Sequence, residues 1–309
     1  MPGFRTKFLA LACCAVVGGV GLNAQAATPA SAASSGGESA ANPFFAPSSL
    51  PFDTPDFSKI KDSDYVPAME KGMALQKQEV GQIANNPAPP TFENTIVAME
   101  KTGAMLDRVM NVFNLYTGAD TDPELQKISE EMAPKLAAHQ DAIYLDAKLF
   151  DRIQKIYDRR AKLKLDPESE RLLEVDYQQF VLNGAKLSQA DKTRLKHYNE
   201  QLSTLSTQFA NKLIAAAKAG ALVVNDKSKL AGLSPQQIDA AAAAAKARGL
   251  EGKWVIPLQN TTQQPDLAFL SNREVRHELY EHSINRAERG DANDTRAIIT
   301  KMAWLRAQK

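Results

Sequence analysis

Apolar residues recur at helical spacing along most of the chain. After Thr91, seven residues follow one another at alternating intervals of four and three positions, which is the period of one helix face. This spacing predicts one continuous helix with a buried stripe. A second stripe, Leu195 to Leu213, belongs to a helix that we predict from Ser188 to about Ala219, roughly 45 Å long at 1.5 Å per residue. The first stripe consists of Phe92, Ile96, Met99, Gly103, Leu106, Met110 and Phe113.

Start signals for further helices follow a common chemistry. Asp122-Pro123 and Asp166-Pro167 each combine a capping acid with a proline at the first helical position, where its missing N–H costs nothing. Ser234 with Gln237 forms a capping box, and Ser271 with Glu274 predicts another helix start. The sequence therefore predicts a mainly α fold.

The pattern changes after Gly220. Ala221–Val224 and Trp254–Ile256 predict two short strands, so we expect a small β element near residues 221–258. We predict a helical region at residues 42–220 and a mixed region of short strands and helices at 221–309.

The first 26 residues resemble a secretory signal peptide. Arg5 and Lys7 precede the uncharged run Phe8–Leu22, and Ala24-Gln25-Ala26 fits the small-x-small cleavage pattern. The run is shorter than the roughly 20 residues that a spanning helix needs, which favours cleavage and a periplasmic location, although an uncleaved anchor stays open. Residues 27–41 are rich in Ala, Ser and Gly and predict a flexible linker.

Cysteine and charge content exclude several classes of function. Cys13 and Cys14 are the only cysteines, so a mature chain that begins at Ala27 would have no disulfide, no cysteine–zinc site and no thiol nucleophile. Lipid attachment at Cys13 is a weaker alternative, because Ala10-Leu11-Ala12 lacks a large aliphatic residue three positions before the cysteine. With 37 basic and 36 acidic residues, the chain gives no reason to expect nucleic acid.

One hexapeptide, His277-Glu278-Leu279-Tyr280-Glu281-His282, superficially resembles a zinc-protease motif. In a working H-E-x-x-H the histidines are four residues apart and share a helix face. Here they are five apart and point about 140° away from each other at 100° per residue. We predict that they do not bind zinc together, and that the lone residues His139 and His197 are packed or surface histidines.

No other motif carries chemistry. The chain contains no nucleophile elbow, phosphate loop or dinucleotide fingerprint. We interpret the scattered Asp and Glu residues as solvated helix surface, and Asn260-Thr261-Thr262 as an ordinary loop. We therefore assign no catalytic, cofactor-binding or metal-ligating residue.

Several runs resemble a known family. Asn42-Pro43-Phe44 and Pro90–Thr95 are similar to the beginning of the thimet-oligopeptidase-like zinc metallopeptidases. Trp254–Pro265 and Arg286–Arg296 resemble the bacterial peptidyl-dipeptidases of the dipeptidyl carboxypeptidase type within that family. The resemblance covers about residues 42–309.

This resemblance implies a helical fold around a deep channel, one zinc ion held by H-E-x-x-H and a more distant Glu, and release of dipeptides from the C-terminus of oligopeptides. In the family that motif lies in the second half of the chain, so we expect it beyond Lys309. We expect the 309-residue chain to bind no zinc and to be inactive alone, with no membrane span after signal removal. The alternatives are a non-catalytic periplasmic peptide-binding module and an oligopeptide endopeptidase, and the oligomeric state stays open.

Overall fold

Helices begin at most of the predicted start signals in the computed structural model, which describes residues 42–309. Asp122 Oδ1 accepts a hydrogen bond from Leu125 N at 2.8 Å, and Asp166 Oδ1 accepts two at 3.1 Å. Ser234 and Gln237 form the predicted capping box. Because these caps satisfy amides that no helical carbonyl can reach, the helices start where the chain supplies an acceptor. The predicted signal peptide and linker lie outside the described residues.

Eleven α-helices and two strands make up the regular structure of residues 42–309, together with short 3-10 segments and one π-helical turn. The strands pair antiparallel, with Leu222 opposite Ile256. The predicted mainly α class with a small β element is confirmed. None of these helices combines the length and apolarity needed to cross a membrane. The elements are α1 Tyr65–Ala84, a π-helical turn Phe92–Val97, α2 Ala98–Glu100, α3 Ala104–Ala119, α4 Pro123–Tyr144, α5 Ala147–Asp158, α6 Pro167–Leu182, α7 Gln189–Ala219, β1 Leu222–Val224, α8 Pro235–Lys246, β2 Trp254–Ile256, α9 Asn260–Phe269, α10 Arg273–Ile284 and α11 Arg296–Gln308.

The first of two structural units contains the described residues up to Thr207, together with Leu305–Lys309. In one of its cores, α1 packs against α3 and α4, and the Tyr65 ring meets the Phe113 ring edge-on at 5.0 Å. In its other core, α5 and α6 enclose fully buried apolar residues such as Leu149 and Leu173. Burial of these faces supplies the main stabilisation of the unit.

The second unit contains Gln208–Trp304. Its core lies under the two-stranded sheet, where Leu222 and Ile256 contact Leu258, Val275 and Leu279. Helix α8 packs against β2, and α10 packs against β1 and α9. Each strand has only three residues, so the sheet depends on these helices for its stability. The predicted division at residues 220 and 221 stays a prediction.

The single helix predicted across Phe92–Phe113 is wrong, because the chain breaks at Lys101–Gly103. Gly103 adopts the left-handed φ of 74°, and its N–H donates to Glu79 Oε2 at 2.7 Å. A Cβ at this position would lie 2.3 Å from Gln76 Nε2. The 4-3 spacing could not reveal the break, because glycine fits a stripe as a small residue and also favours a left-handed turn.

Two smaller expectations are also wrong. Asn260-Thr261-Thr262 is the first turn of α9 and not a loop. The polar composition of this segment and Pro265 inside it hid the helix period. Helix α10 is capped by Asn272, whose Oδ1 accepts from Val275 N at 3.1 Å, and not by Ser271. Asn is as good an N-cap as Ser, and it stands one position closer to the first buried residue.

Candidate functional site

A surface cleft of about 300 Å³ lies in the second unit, between α8, β2 and α9. The Trp254–Pro265 run, one of those that carry the family resemblance, supplies five of its lining residues. The small residues of α8 leave room for the cleft, since alanine fills little volume. The lining residues are Gln236, Gln237, Ala240, Ala241, Ala244, Val255, Pro257, Thr261, Thr262, Pro265 and Asp266.

Asp266 is the only ionisable residue of this lining. It is 4% exposed, and its Oδ1 accepts a hydrogen bond from Gln237 Nε2 at 2.7 Å. Burial raises the pKa of the Asp266 carboxyl, and the bond from Gln237 opposes that shift. The other end of the Gln237 amide, Oε1, accepts from Ser234 N at 2.9 Å, so one side chain both caps α8 and ties it to α9.

The lining of the cleft combines apolar side chains with neutral polar groups and one carboxyl. Its apolar wall and one buried acid suit an extended chain with an amide or amine donor. Gln263, the residue after Thr262 in α9, is 4% exposed, and its Oε1 has no hydrogen-bond partner.

The structure places His277 and His282 on the same unbroken helix, α10. His282 Nδ1–H donates to Gly220 O at 2.8 Å, whereas the exposed His277 lies 3.8 Å from Glu281 Oε1. Within residues 42–309 no three His, Cys, Asp or Glu side chains are grouped to hold a metal ion. The described residues therefore do not fit the zinc site that the resemblance implies. The prediction that the two histidines do not share a zinc ion stays a prediction.

The other two histidines contact glutamines. His139 Nε2 lies 2.7 Å from Gln76 Oε1, and burial lowers the pKa of this imidazole. His197 Nε2 lies 2.6 Å from Gln201 Nε2 on the exposed face of α7. Each imidazole thus contacts a glutamine side chain, His139 across to α1 and His197 within α7.

Asn94, in the Pro90–Thr95 motif, organises the turn between α1 and α2. Its Oδ1 accepts from Thr91 N at 2.8 Å, while Thr91 Oγ1 accepts from Asn94 N at 3.0 Å. Asn94 Nδ2 donates to Pro89 O at 2.9 Å, and Thr95 Oγ1 donates to Asn94 Oδ1. The motif therefore acts as a reciprocal cap that fixes the entry into the helix.

Arg152 of α5 donates hydrogen bonds to the same turn, and its side chain is buried, with 6% exposed. Its Nη1 donates to Asn86 O at 2.8 Å and to Ala88 O at 3.0 Å, and its Nη2 donates to Asn94 Oδ1 at 2.9 Å. Its Nε donates to Thr95 Oγ1 at 3.3 Å. The guanidinium thus contacts neutral oxygens on two sides of one turn, which its planar fork of five donors permits.

Some acids predicted to be solvated are buried, and for these that interpretation is wrong. Asp141 is 7% exposed, burial raises its pKa, and its Oδ1 accepts from Asn199 Nδ2 at 2.6 Å. Desolvation of the partly buried Asp176 and, to a smaller extent, Glu100 raise the pKa of its carboxyl to about 7. Burial also raises the pKa of the neighbouring Tyr144. Asp176 lies three residues after Leu173 and four before Phe180, so the helix period places it on the buried face of α6, and the general assignment of acids to solvent overlooked that signal.

Known proteins resemble the chain over most of its length, although no family model matches it. It is 48% identical over 268 residues to the dipeptidyl carboxypeptidase of Escherichia coli K12, which covers 87% of this chain and 39% of that protein. The dipeptidyl carboxypeptidase of Salmonella typhimurium is 47% identical over 265 residues. Oligopeptidase A of E. coli is 25% identical over 237 residues, or 77% of this chain and 35% of that protein.

The chain therefore spans about two fifths of the length of the curated relatives it matches. The relatives at 47–48% identity are named dipeptidyl carboxypeptidase, and the relative at 25% identity is named oligopeptidase A. The resemblance to the thimet-oligopeptidase-like family predicted from the motifs is confirmed, and this chain is related to part of the bacterial dipeptidyl carboxypeptidases.

Proposed function

We propose that this chain is the N-terminal portion of a zinc-dependent peptidyl-dipeptidase, which releases dipeptides from the C-terminus of oligopeptides. The observation that carries the proposal is the 48% identity to a dipeptidyl carboxypeptidase over 87% of the chain. The identity to oligopeptidase A is about half as high, which favours dipeptide release over internal cleavage.

In this proposal the described residues supply structure and peptide contact. A bound zinc ion would activate water for amide hydrolysis, and the described residues contain no donor set for it. The cleft at Asp266 offers a polar end and an apolar wall for a peptide chain. We accordingly propose that residues 27–309 alone do not hydrolyse peptides.

We also propose that the protein is exported to the periplasm and begins at Ala27 after signal cleavage. The support is the Arg5 and Lys7 charges, the apolar run and Ala24-Gln25-Ala26. N-terminal sequencing of the periplasmic fraction tests this. A soluble cytoplasmic product that retains Met1 would contradict it.

Two other functions have specific support. The cleft, with one carboxyl and no catalytic pair, is what a peptide-binding module without catalysis would contain. The similarity to oligopeptidase A supports an endopeptidase of the same family. Both are separated from the main proposal by the products that the protein forms.

The test compares residues 27–309 with a hybrid, in which these residues are joined to the part of the E. coli dipeptidyl carboxypeptidase that has no counterpart here. Each is incubated with a five-residue peptide that has a free C-terminus, and mass spectrometry follows the products. We expect a C-terminal dipeptide from the hybrid only, abolished by a chelator. An amidated peptide is the control, since an endopeptidase cleaves it and a peptidyl-dipeptidase does not.

Dipeptide release by pure residues 27–309 would contradict the proposed inactivity. Peptide binding without release by the hybrid would favour the binding module. Asp266→Asn tests the cleft separately, because it keeps the shape of the side chain and removes its charge.

A further inference from the structure

The carboxyl of Asp266 is buried in the cleft without a cation beside it. The residue is 4% exposed, and the neutral amide of Gln237 is the one hydrogen-bond partner of its side chain within residues 42–309. No Lys, Arg or His lines the cleft, and no positive charge of the described residues lowers the pKa of this carboxyl. A buried carboxylate is costly unless a cation pairs with it. The cleft therefore complements a positive charge.

One oxygen of this carboxyl remains open to the cleft. Gln237 Nε2 donates to Oδ1 of Asp266, and no described residue donates to Oδ2. Among the buried side-chain atoms of residues 42–309, only Gln263 Oε1 has no hydrogen-bond partner. Since Oδ2 also has none, it is not sealed from solvent, and Asp266 lines the cleft. A donor that enters the cleft therefore meets an acceptor atom.

The wall around this oxygen is mostly aliphatic. Its volume of about 300 Å³ is at the lower end of the range of roughly 300–1,000 Å³ for ligand pockets, which suits one side chain or one chain end. Aliphatic stems of charged side chains pack well on such surfaces. The aliphatic lining residues are Ala240, Ala241 and Ala244 of α8, Val255 of β2, and Pro257 and Pro265.

We propose that the cleft is a subsite for a primary ammonium next to an aliphatic group, which a peptide supplies as a lysine side chain or as its N-terminal residue. This inference rests on the proposed function, because it names the part of a peptide substrate that the cleft takes. The aliphatic group packs on the alanines of α8, and the ammonium enters at Asp266 Oδ2. As a charged donor it forms a bond roughly twice as strong as that of the neutral Gln237 amide, with which it competes.

Other cations fit this cleft less well. A guanidinium is planar and bonds both oxygens of a carboxylate at once, whereas only Oδ2 of Asp266 is open here. A calcium or magnesium ion needs several oxygen ligands, and the lining has a single carboxyl. An ammonium on an aliphatic stem is compact and bonds through one point, so it matches both the open oxygen and the wall.

NMR titration of the isotope-labelled chain tests the proposal with four small probes. Acetyl-lysinamide presents only a side-chain ammonium, and leucinamide presents only an α-ammonium. Acetyl-norleucinamide and acetyl-leucinamide are their uncharged counterparts. We expect an ammonium probe to bind at the cleft roughly ten-fold more tightly than its counterpart. Tighter binding of acetyl-lysinamide identifies lysine side chains as the ligand, and tighter binding of leucinamide identifies peptide N-termini.

Three variants locate the binding. Asp266→Asn should weaken the ammonium probe roughly ten-fold and leave the uncharged probes unchanged. The matched control Asp239→Asn removes an exposed acid of α8 that does not line the cleft, and it should leave the affinity unchanged. Ala240→Leu, at an exposed lining position, fills the cleft and should abolish binding without altering the carboxyl, so it decides the question if Asp266→Asn does not fold.

Equal affinities for charged and uncharged probes would overturn the inference. So would Asp266→Asn or Ala240→Leu variants that bind the ammonium as tightly as the parent. Dipeptide release by the hybrid is measured in parallel. Release by the hybrid without ammonium binding by the chain refutes this inference alone, whereas ammonium binding without release refutes the proposed function and leaves the subsite in place.

Discussion

Replacing Arg152 by methionine should destabilise the first unit more than any change on the exposed side of the same helix. Methionine keeps much of the aliphatic volume of the arginine, so the change removes the guanidinium without opening a large cavity. The substitution removes the four hydrogen bonds that the guanidinium donates to the turn at residues 86–95. The acceptors are two backbone carbonyls and the side chains of Asn94 and Thr95.

The expected loss follows from what each acceptor does afterwards. Asn86 O and Ala88 O belong to residues near the surface and regain water, while Asn94 Oδ1 keeps its bonds from Thr91 and Thr95. Hydrogen bonds to a charged group contribute about 1.5–3 kcal/mol each. Methionine also removes the cost of desolvating a buried cation, which offsets part of that loss. We expect a net loss of about 3 kcal/mol in the free energy of unfolding.

Urea denaturation followed by circular dichroism measures this loss. With an m-value of about 3 kcal/mol/M, the midpoint should fall by about 1 M. Hydrogen exchange should show faster amide exchange in peptides that cover residues 86–97. The matched control is Lys155→Met on the exposed side of α5, which removes only a surface ion pair with Asp151 and should change stability by less than about 0.5 kcal/mol. Equal midpoints for the two variants would refute the argument.

Three further predictions concern Gly103, Asp176 and the two histidines of α10. Gly103→Ala should destabilise the folded chain by about 1–2 kcal/mol, because it places a Cβ on a residue with a left-handed φ of 74°. The control Gly81→Ala, where a Cβ on α1 meets no other atom, should stabilise the chain by about 0.5 kcal/mol. Thermal unfolding compares the two variants. The pKa of Asp176 is about 7 in the folded chain and 3.8 ordinarily, so the folded state holds its proton more tightly. The free energy of unfolding should therefore fall as pH rises from about 4 to 7. At pH 8, Asp176→Asn should be more stable than the parent by up to about 4 kcal/mol. A parent and an Asp176→Asn variant with the same pH dependence would contradict this. The His277→Ala, His282→Ala double variant should hold as little zinc as the parent by metal analysis, and stoichiometric zinc in the parent alone would show shared ligation.

The sequence predicted those features that depend on neighbours along the chain. The caps at Asp122, Asp166 and Ser234 are local chemistry, and the structure has all three. The long helix α7 follows from an uninterrupted period, and it runs to Ala219 as expected.

Features that depend on partners distant in the chain were not predicted. The break at Gly103 is fixed by Glu79 and Gln76 of α1, and the buried Asp141 of α4 accepts its hydrogen bond from Asn199 of α7. The cleft at Asp266 was missed for the same reason, since it needs α8 to approach a helix whose first turn had been interpreted as a loop. Family resemblance pointed to the Trp254–Pro265 run without indicating that this run lines a cleft.

The amide group of Gln237 links the cap of α8 to the carboxyl group in the cleft. A single rotamer places Oε1 on Ser234 N and Nε2 on Asp266. A ligand that bonded the Asp266 carboxylate would replace the Gln237 bond, so the amide would be free to turn and Ser234 N would lose its acceptor. Ser234 does not line the cleft. Its amide proton is therefore a built-in reporter, whose exchange rate should record occupancy of a site that this residue never touches.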